Sequence, residues 1–288
     1  MRLPTLKPSA DFASGQLYHL DDLNDLHHLS TLDPTMAQPP RDDAAPGVPL
    51  SGPLYKDVKR RLTESLTRGE WKPGEAIPAE RALSERCGTS IGTIRRAIDE
   101  LVAENILIRQ QGRGTYVASH NRDRMLFYFF HIVDDQGTKR YPDVELLSFA
   151  RGKADRTAAE HLGLATGDAV YRIRNRLSLA GTPVIIDDIT LPAAIFPGLT
   201  ERQFRERTST IYNLYQEAFG ISVVRASERL RATVADAEAA ALLSIARNTP
   251  LLRIRRVALS YNDAPIELRV SLVDTARNEY FADIGKPA

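Results

Sequence analysis

The chain has 288 residues, with 38 Lys and Arg against 37 Asp and Glu, 43% apolar residues and a single cysteine. That length leaves room for more than one domain with an ample core, and a lone Cys87 excludes an intramolecular disulfide framework. No apolar run approaches a membrane span in length; the longest, MLFYFFHIV at 125–133, reads as a buried strand.

The near-zero net charge hides an uneven distribution. Lys and Arg number 3 against 7 Asp and Glu in residues 1–52, 12 against 9 in 53–120, and 23 against 21 in the remainder. Residues 1–50 read as a disordered tail ending in a Pro-rich tract, QPPRDDAAPGVP. They hold His19, His27 and His28 with Asp21, Asp22 and Asp25, from which a metal site could be drawn, but the spacing fits no standard ligand motif. The start of the chain lacks the apolar core of a secretion signal, and with the one cysteine this points to a reducing, cytoplasmic setting.

From residue 51 the pattern changes. Leu54, Val58, Leu62 and Leu66 mark a helix ending near Gly69, and Trp71 with Pro73 and Gly74 turns the chain. A second helix is expected from about Ala79 to Arg86, closed by Cys87 and Gly88. Cys87 reads either as a small buried residue filling the turn or as a redox switch. Ser90 is a suitable N-cap for a third helix. Along it Ile94, Ala97, Ile98 and Leu101 form the buried stripe and leave Thr93, Arg95 and Arg96 on or beside the opposite face. Beyond Asn105 two short β runs flank QGRG at 111–114, a hairpin whose tip places Arg113 between glycines. Glycine there permits close backbone approach, so the arginine can enter a narrow, electronegative minor groove. Helix, turn, helix and basic hairpin make a winged helix-turn-helix over 51–118.

These residues resemble the DNA-binding domain of GntR-type bacterial transcription regulators over about Pro53 to Val117. The likeness is carried by PLY at 53–55, WKPGE at 71–75, the P-x-E-R-x-L helix, S-x-x-T-I-R at 90–95 and QGRGTYV at 111–117. It implies that Arg81 touches the phosphate backbone. It also implies that the start of the recognition helix, Ser90, Ile91, Thr93, Arg95 and Arg96, enters the major groove, and that Gln111, Gly112 and Arg113 serve the wing. Two departures matter. Ala79 stands where the family commonly has a capping Ser, and Ile91 where it usually has Arg. Arg is the common bidentate reader of guanine, whereas Ile offers only apolar contact to a thymine methyl, so base preference should differ here.

A polar linker, 119–124, leads to a second domain, 125–288, with an internal echo. DRTAAEHLGLA at 155–165 followed by VYRIR at 170–174 matches DAEAAALLSIA at 236–246 followed by LLRIR at 251–255, at a constant offset of 81. Each copy reads as a helix, a turn, a strand, a tight turn (AGTP or NDAP) and a second strand. Two helix-hairpin units related by pseudo-symmetry around an antiparallel sheet are expected. Over about Pro142 to Ile284 this region is similar to the UTRA effector-binding domain of the HutC branch of GntR regulators, an α+β, chorismate-lyase-like fold. The motifs carrying that likeness include LPAAIFPGL at 191–199, STIY at 209–212 and APIE at 264–267.

The resemblance implies a small ligand against the sheet, and the matching positions here are Arg174 or Arg176, Asp187, Thr210 with Tyr212, and Glu267. Arg172, Arg174, Arg176 and Ser178 alternate along one strand and share a face, with Ile173, Leu177 and Leu179 on the other. Guanidiniums on a sheet face suit an anion such as a sugar phosphate or organic acid. Alternatively these arginines line a solvated face or pair with neighbouring acids. Thr210 opens a helix whose free N–H groups could receive an anion or be capped by Ser209 or Thr210. His131 and His161 read as core or surface residues.

The expectation is a cytoplasmic, homodimeric, ligand-responsive repressor of a metabolic operon, binding a palindromic duplex operator without a cofactor. An enzyme with a lyase-like fold tethered to DNA is the alternative, but the chain has no nucleophile elbow, phosphate loop, H-E-x-x-H or paired-Cys metal spacing. A ligand-independent DNA-binding protein is the other.

Overall fold

A computed structural model describes residues 53–121, 123 and 125–283. The tail and its histidines and aspartates lie outside the described residues. The winged segment opens with α1 (Leu54–Thr67), α2 (Glu80–Cys87) and α3 (Ile91–Ala103), followed by the antiparallel hairpin β1 (Leu107–Gln110) and β2 (Gly114–Val117). Val58, Leu62 and Leu66 recur on one face of α1 and pack with Leu83 of α2 and Ile94, Ile98 and Leu101 of α3. Trp71 and Ile77 close this core, and Ala76 bridges Tyr116, adding a third short rung to the hairpin. Gly88 adopts the left-handed conformation that ends α2, with φ 64°.

The aromatic run 125–133 forms one wide helical turn, Met125–Phe129, closed by Phe130 N donating to Met125 O at 3.0 Å. Only β3 (Ile132–Asp134) is extended, paired with β10 (Asn278–Tyr280). The expected strand fails because a strand sends adjacent side chains to opposite sides. Phe129 and Phe130 are both buried against the same sheet face, one in each of two apolar clusters.

That sheet has six antiparallel strands in the order β4-β5-β6-β9-β8-β7: β4 (Asp143–Lys153), β5 (Ala169–Leu179), β6 (Thr182–Pro192), β7 (Arg225–Val234), β8 (Pro250–Leu259) and β9 (Pro265–Asp274). Helix α4 (Arg156–Leu162) precedes β5, and α7 (Ala237–Leu243) precedes β8. The echo is thus a structural one, with β4-β5-β6 and β7-β8-β9 meeting at the β6–β9 seam. Asp155 and Asp236 cap the two helices alike, each accepting from a backbone N–H at 2.8 Å. Both helices pack on one face of the sheet, α4 against Val170 and Leu268 and α7 against Ile186, Leu251 and Leu272. The other face carries the main core, covered by α5 (Glu201–Arg205), α6 (Ile211–Phe219) and the 125–134 segment.

Candidate DNA interface and effector cavity

The candidates for a DNA interface are exposed side chains of the winged segment, with Thr93 half-buried. Ser90 caps α3, its hydroxyl accepting from Thr93 N at 3.2 Å and lying 2.9 Å from Thr93 Oγ1. Ile91 is 43% exposed at the helix start, which isolated burial economics would disfavour. Arg95 is held by Glu80 of α2, with Nη2 donating at 2.8 Å, and Arg96 stacks on the Tyr55 ring with its guanidinium carbon 4.0 Å from the centroid. These side chains are presented by neighbouring helices before any duplex arrives. Arg81 is exposed and, among the described residues, pairs with Glu85 at 3.3 Å. At the wing, Gln111, Gly112 and Arg113 are exposed. Gly112 and Gly114 have φ of 70° and 117°, and the Tyr116 hydroxyl steadies the tip by donating to Arg113 O at 3.1 Å.

A cavity opens on the core face of the sheet, between β5, β6, β8 and β9 and the covering layer. Its walls include Asn175, Asp187, Arg256 and Arg269 from the strands and Arg207 and Thr210 from the cover. The polar floor is a network. Arg269 donates Nε and Nη2 to the two oxygens of Glu267 at 2.9 and 3.1 Å, and Nη1 to Asp187 at 3.1 Å. Tyr212 and Tyr215 donate to Glu267 at 3.3 and 2.7 Å, and Ser271 donates to Asp187 at 2.5 Å. Arg256 pairs with Glu228 at 2.5 Å and donates to Phe129 O in the covering turn, and the Tyr280 hydroxyl also donates to Glu228. Burial pushes the Glu228 carboxyl up, but Arg256 and that hydroxyl outweigh it and hold the group below its ordinary value. Burial, then the Glu267 charge, pushes the Tyr212 phenol up to about 12.

Of the six effector candidates, the structure brings Asp187, Thr210, Tyr212 and Glu267 to this face and leaves Arg174 and Arg176 on the other. Strand alternation is the reason: Asn175 and Leu177 point into the cavity, so Arg174 and Arg176 cannot. Arg174 is bidentate to Asp188 at 2.6 and 3.0 Å and reaches Glu238 at 2.7 Å, while Arg176 meets Glu145 at 2.5 Å. They form cross-strand and sheet-to-helix ion pairs on the face where α4 and α7 pack. Asp187 and Glu267 were expected from the sequence, whereas Arg269, which pairs with both, was not. Asn175, Arg207 and Arg256 were not anticipated, since nothing local says which face of β5 or β8 is covered.

One further group joins the two halves. Gln216, on α6, donates Nε2 to Ala118 O at 3.2 Å and accepts from His120 N at 2.8 Å, and His120 Nε2 accepts from Val223 N at 3.0 Å. His120 is buried, and its ring packs near Tyr212 and Phe129. The segment leaving β2 is therefore gripped by the helix that begins at the cavity.

A winged helix-turn-helix joined to a ligand-cavity sheet domain defines a class of DNA-binding regulators. Comparison with known families agrees: residues 54–117 match the bacterial regulatory proteins of the gntR family, and residues 137–278 match the UTRA domain. The histidine utilization repressor of Pseudomonas putida is 31% identical over 205 residues, covering 71% of this chain and 81% of that protein. The mannosyl-D-glycerate transport/metabolism system repressor MngR of Escherichia coli K12 is 29% identical over 204 residues, covering 69% and 82%. Among solved structures, the ligand-binding domain of a GntR-family regulator from Bordetella bronchiseptica superposes with a TM-score of 0.52 at 33% identity, covering 55% of this chain and 99% of that one. The chain belongs to the GntR family of bacterial transcription regulators and carries a UTRA domain. Among the described residues no helix is long and apolar enough to cross a membrane.

Proposed function

We propose that this protein is a cytoplasmic, homodimeric repressor of a metabolic operon, released from a palindromic operator when a small anionic metabolite fills the cavity. Its division is a tail (1–50), a DNA-binding domain (51–118), a linker (119–124) and an effector domain (125–288). Ser90, Ile91, Thr93, Arg95 and Arg96 read the major groove, Arg81 holds phosphate, and Gln111, Gly112 and Arg113 enter the minor groove. Asp187, Thr210, Tyr212 and Glu267 belong to the effector site, and the chain acts by binding rather than by catalysis. The observation that carries the reading is the shared helix: α6 begins at the cavity with Thr210 and grips the linker with Gln216. A ligand with different affinity for two placements of α6 would shift the winged domain by that difference. The named relatives, repressors of sugar-derivative and amino-acid utilization, support control by a small metabolite.

The test is a band-shift assay with the promoter DNA adjoining its own gene, titrated with sugar phosphates, organic acids and amino acids. Retarded DNA released by at least one of them, with a dimer mass by light scattering, is expected. Operator binding indifferent to every compound would favour a ligand-independent DNA-binding protein.

A further inference from the structure

The cavity's charges are separated. Arg256 is matched by Glu228, but Arg269 is shared between two carboxylates, Glu267 and Asp187, which leaves a negative surplus on the sheet. The opposite surplus sits in the cover. Arg207 lines the cavity, makes no ion pair among the described residues, and spends one N–H on Phe204 O with its guanidinium 4.6 Å from the Phe204 ring centroid. Burial pushes the Arg207 guanidinium down, and nearby Arg269 adds to that penalty. Arg207 is half-buried, and a partly desolvated cation without a carboxylate favours an anion from outside.

The negative side has its own vacancy for a donor. Asn175 Oδ1 is the one buried side-chain polar atom among the described residues with no hydrogen-bond partner. Asn175 is 3% exposed and stands directly opposite Asp187 in the β5–β6 register, so two acceptors lie side by side on the wall. An unsatisfied buried acceptor costs about 1–3 kcal/mol, and a single hydroxyl donor serves one acceptor, whereas an ammonium carries three donors and a positive charge. Leu177, Ile185, Ile254 and Val273 with Phe130 form one apolar cluster on the wall, beside the polar His131, Tyr141, Thr210, Ser271 and Tyr280.

We infer that the effector is a zwitterion, a small amino acid with an apolar side chain, its ammonium on Asn175 and Asp187 and its carboxylate on Arg207 beside the N-terminus of α6. This rests on the reading of the cavity as the effector site and narrows it. A phosphate dianion meets only one surplus guanidinium and is repelled by the Asp187–Glu267 surplus, whereas a zwitterion satisfies both ends.

The experiment uses the full chain and thermal unfolding with each of the twenty common L-amino acids. For each one that raises Tm, the deaminated acid and the decarboxylated amine of the same skeleton are run beside it. At least one apolar amino acid should bind, both truncated analogues at least tenfold more weakly. Asn175→Leu and Arg207→Gln should each raise its Kd tenfold or more, and Arg207→Lys should recover part of the loss, which separates a lost charge from a misfolded wall. A deaminated acid that binds as well as its amino acid overturns the inference, as does a panel in which no amino acid binds. Release of operator by glucosamine 6-phosphate or succinate in that case would leave the proposed function standing. Release by no compound would sink both.

Discussion

Glu267 has no exposed surface, and a carboxylate so placed is tolerable only because Arg269, Tyr212 and Tyr215 all donate to it. Removing its charge leaves Arg269 with Asp187 alone, so Glu267→Gln should lower folding stability by about 3–5 kcal/mol, read as a urea midpoint shift. Glu267 thus acts first as an anchor for the floor and only through it on any ligand. Arg174 offers the contrast. It is bound to acids on the other face, so Arg174→Ala should leave effector-induced release of DNA in place, and a lost response would restore that arginine to the site. At the wing, Arg113 is exposed and reaches out from a glycine-flanked tip. Arg113→Ala is expected to weaken operator binding by about 1–3 kcal/mol at fixed salt; unchanged affinity would remove the minor-groove contact from the scheme.

Among the elements, α6 combines three tasks along nine residues. Thr210 caps it at the cavity, accepting from Asn213 N at 3.0 Å, Tyr212 and Tyr215 bind the floor, and Gln216 holds the chain leaving the wing. Gln216→Ala should therefore reduce the fold-change in operator affinity caused by effector more than it reduces effector affinity, which calorimetry and band shifts together would resolve. Equal losses in both would mean that Gln216 only stabilises. The paired helices α4 and α7 give a cleaner stability test. Both end in the left-handed region, but where α4 has Gly163 at φ 65°, α7 has Ser244 at φ 58°. A side chain in that conformation costs roughly 1–2 kcal/mol, so Ser244→Gly should raise Tm by a few degrees despite glycine's greater freedom when unfolded.

Across the whole molecule, the pseudo-twofold sheet is asymmetric in charge where its halves meet. Asp187 on β6 and Arg269 on β9 occupy matching places in the two hairpins and pair with each other at 3.1 Å across the seam. Three phenols surround these networks. Burial raises Tyr212, Tyr215 and Tyr280 above their ordinary value, with Glu267 or Glu228 adding to the effect. A raised folded pKa means the folded chain keeps protons that the unfolded chain releases. The stabilisation is then full below about pH 10 and lost as pH rises through the folded values. Urea midpoints at pH 8 and pH 11 should show this fall, reduced in Tyr212→Phe; an identical fall in that variant would assign it elsewhere.

The sequence by itself determined the elements and their order. Helical stripes, the glycine-flanked wing and the echo at offset 81 are local or periodic signals that survive without knowledge of the partner surface, and they were enough for the winged motif and the repeated hairpins. Even the alternation of Arg174 and Arg176 with Ile173 and Leu177 was legible. What the tertiary structure decided was which side of that alternation is covered. A strand offers two faces of equal geometry, and only the packing of α5, α6 and the 125–134 turn on one of them makes Asn175, Arg207, Arg256 and Arg269 a cavity and turns the expected arginines outward. The same packing joined His120 and Gln216, residues 96 positions apart, through contacts that no window along the chain contains.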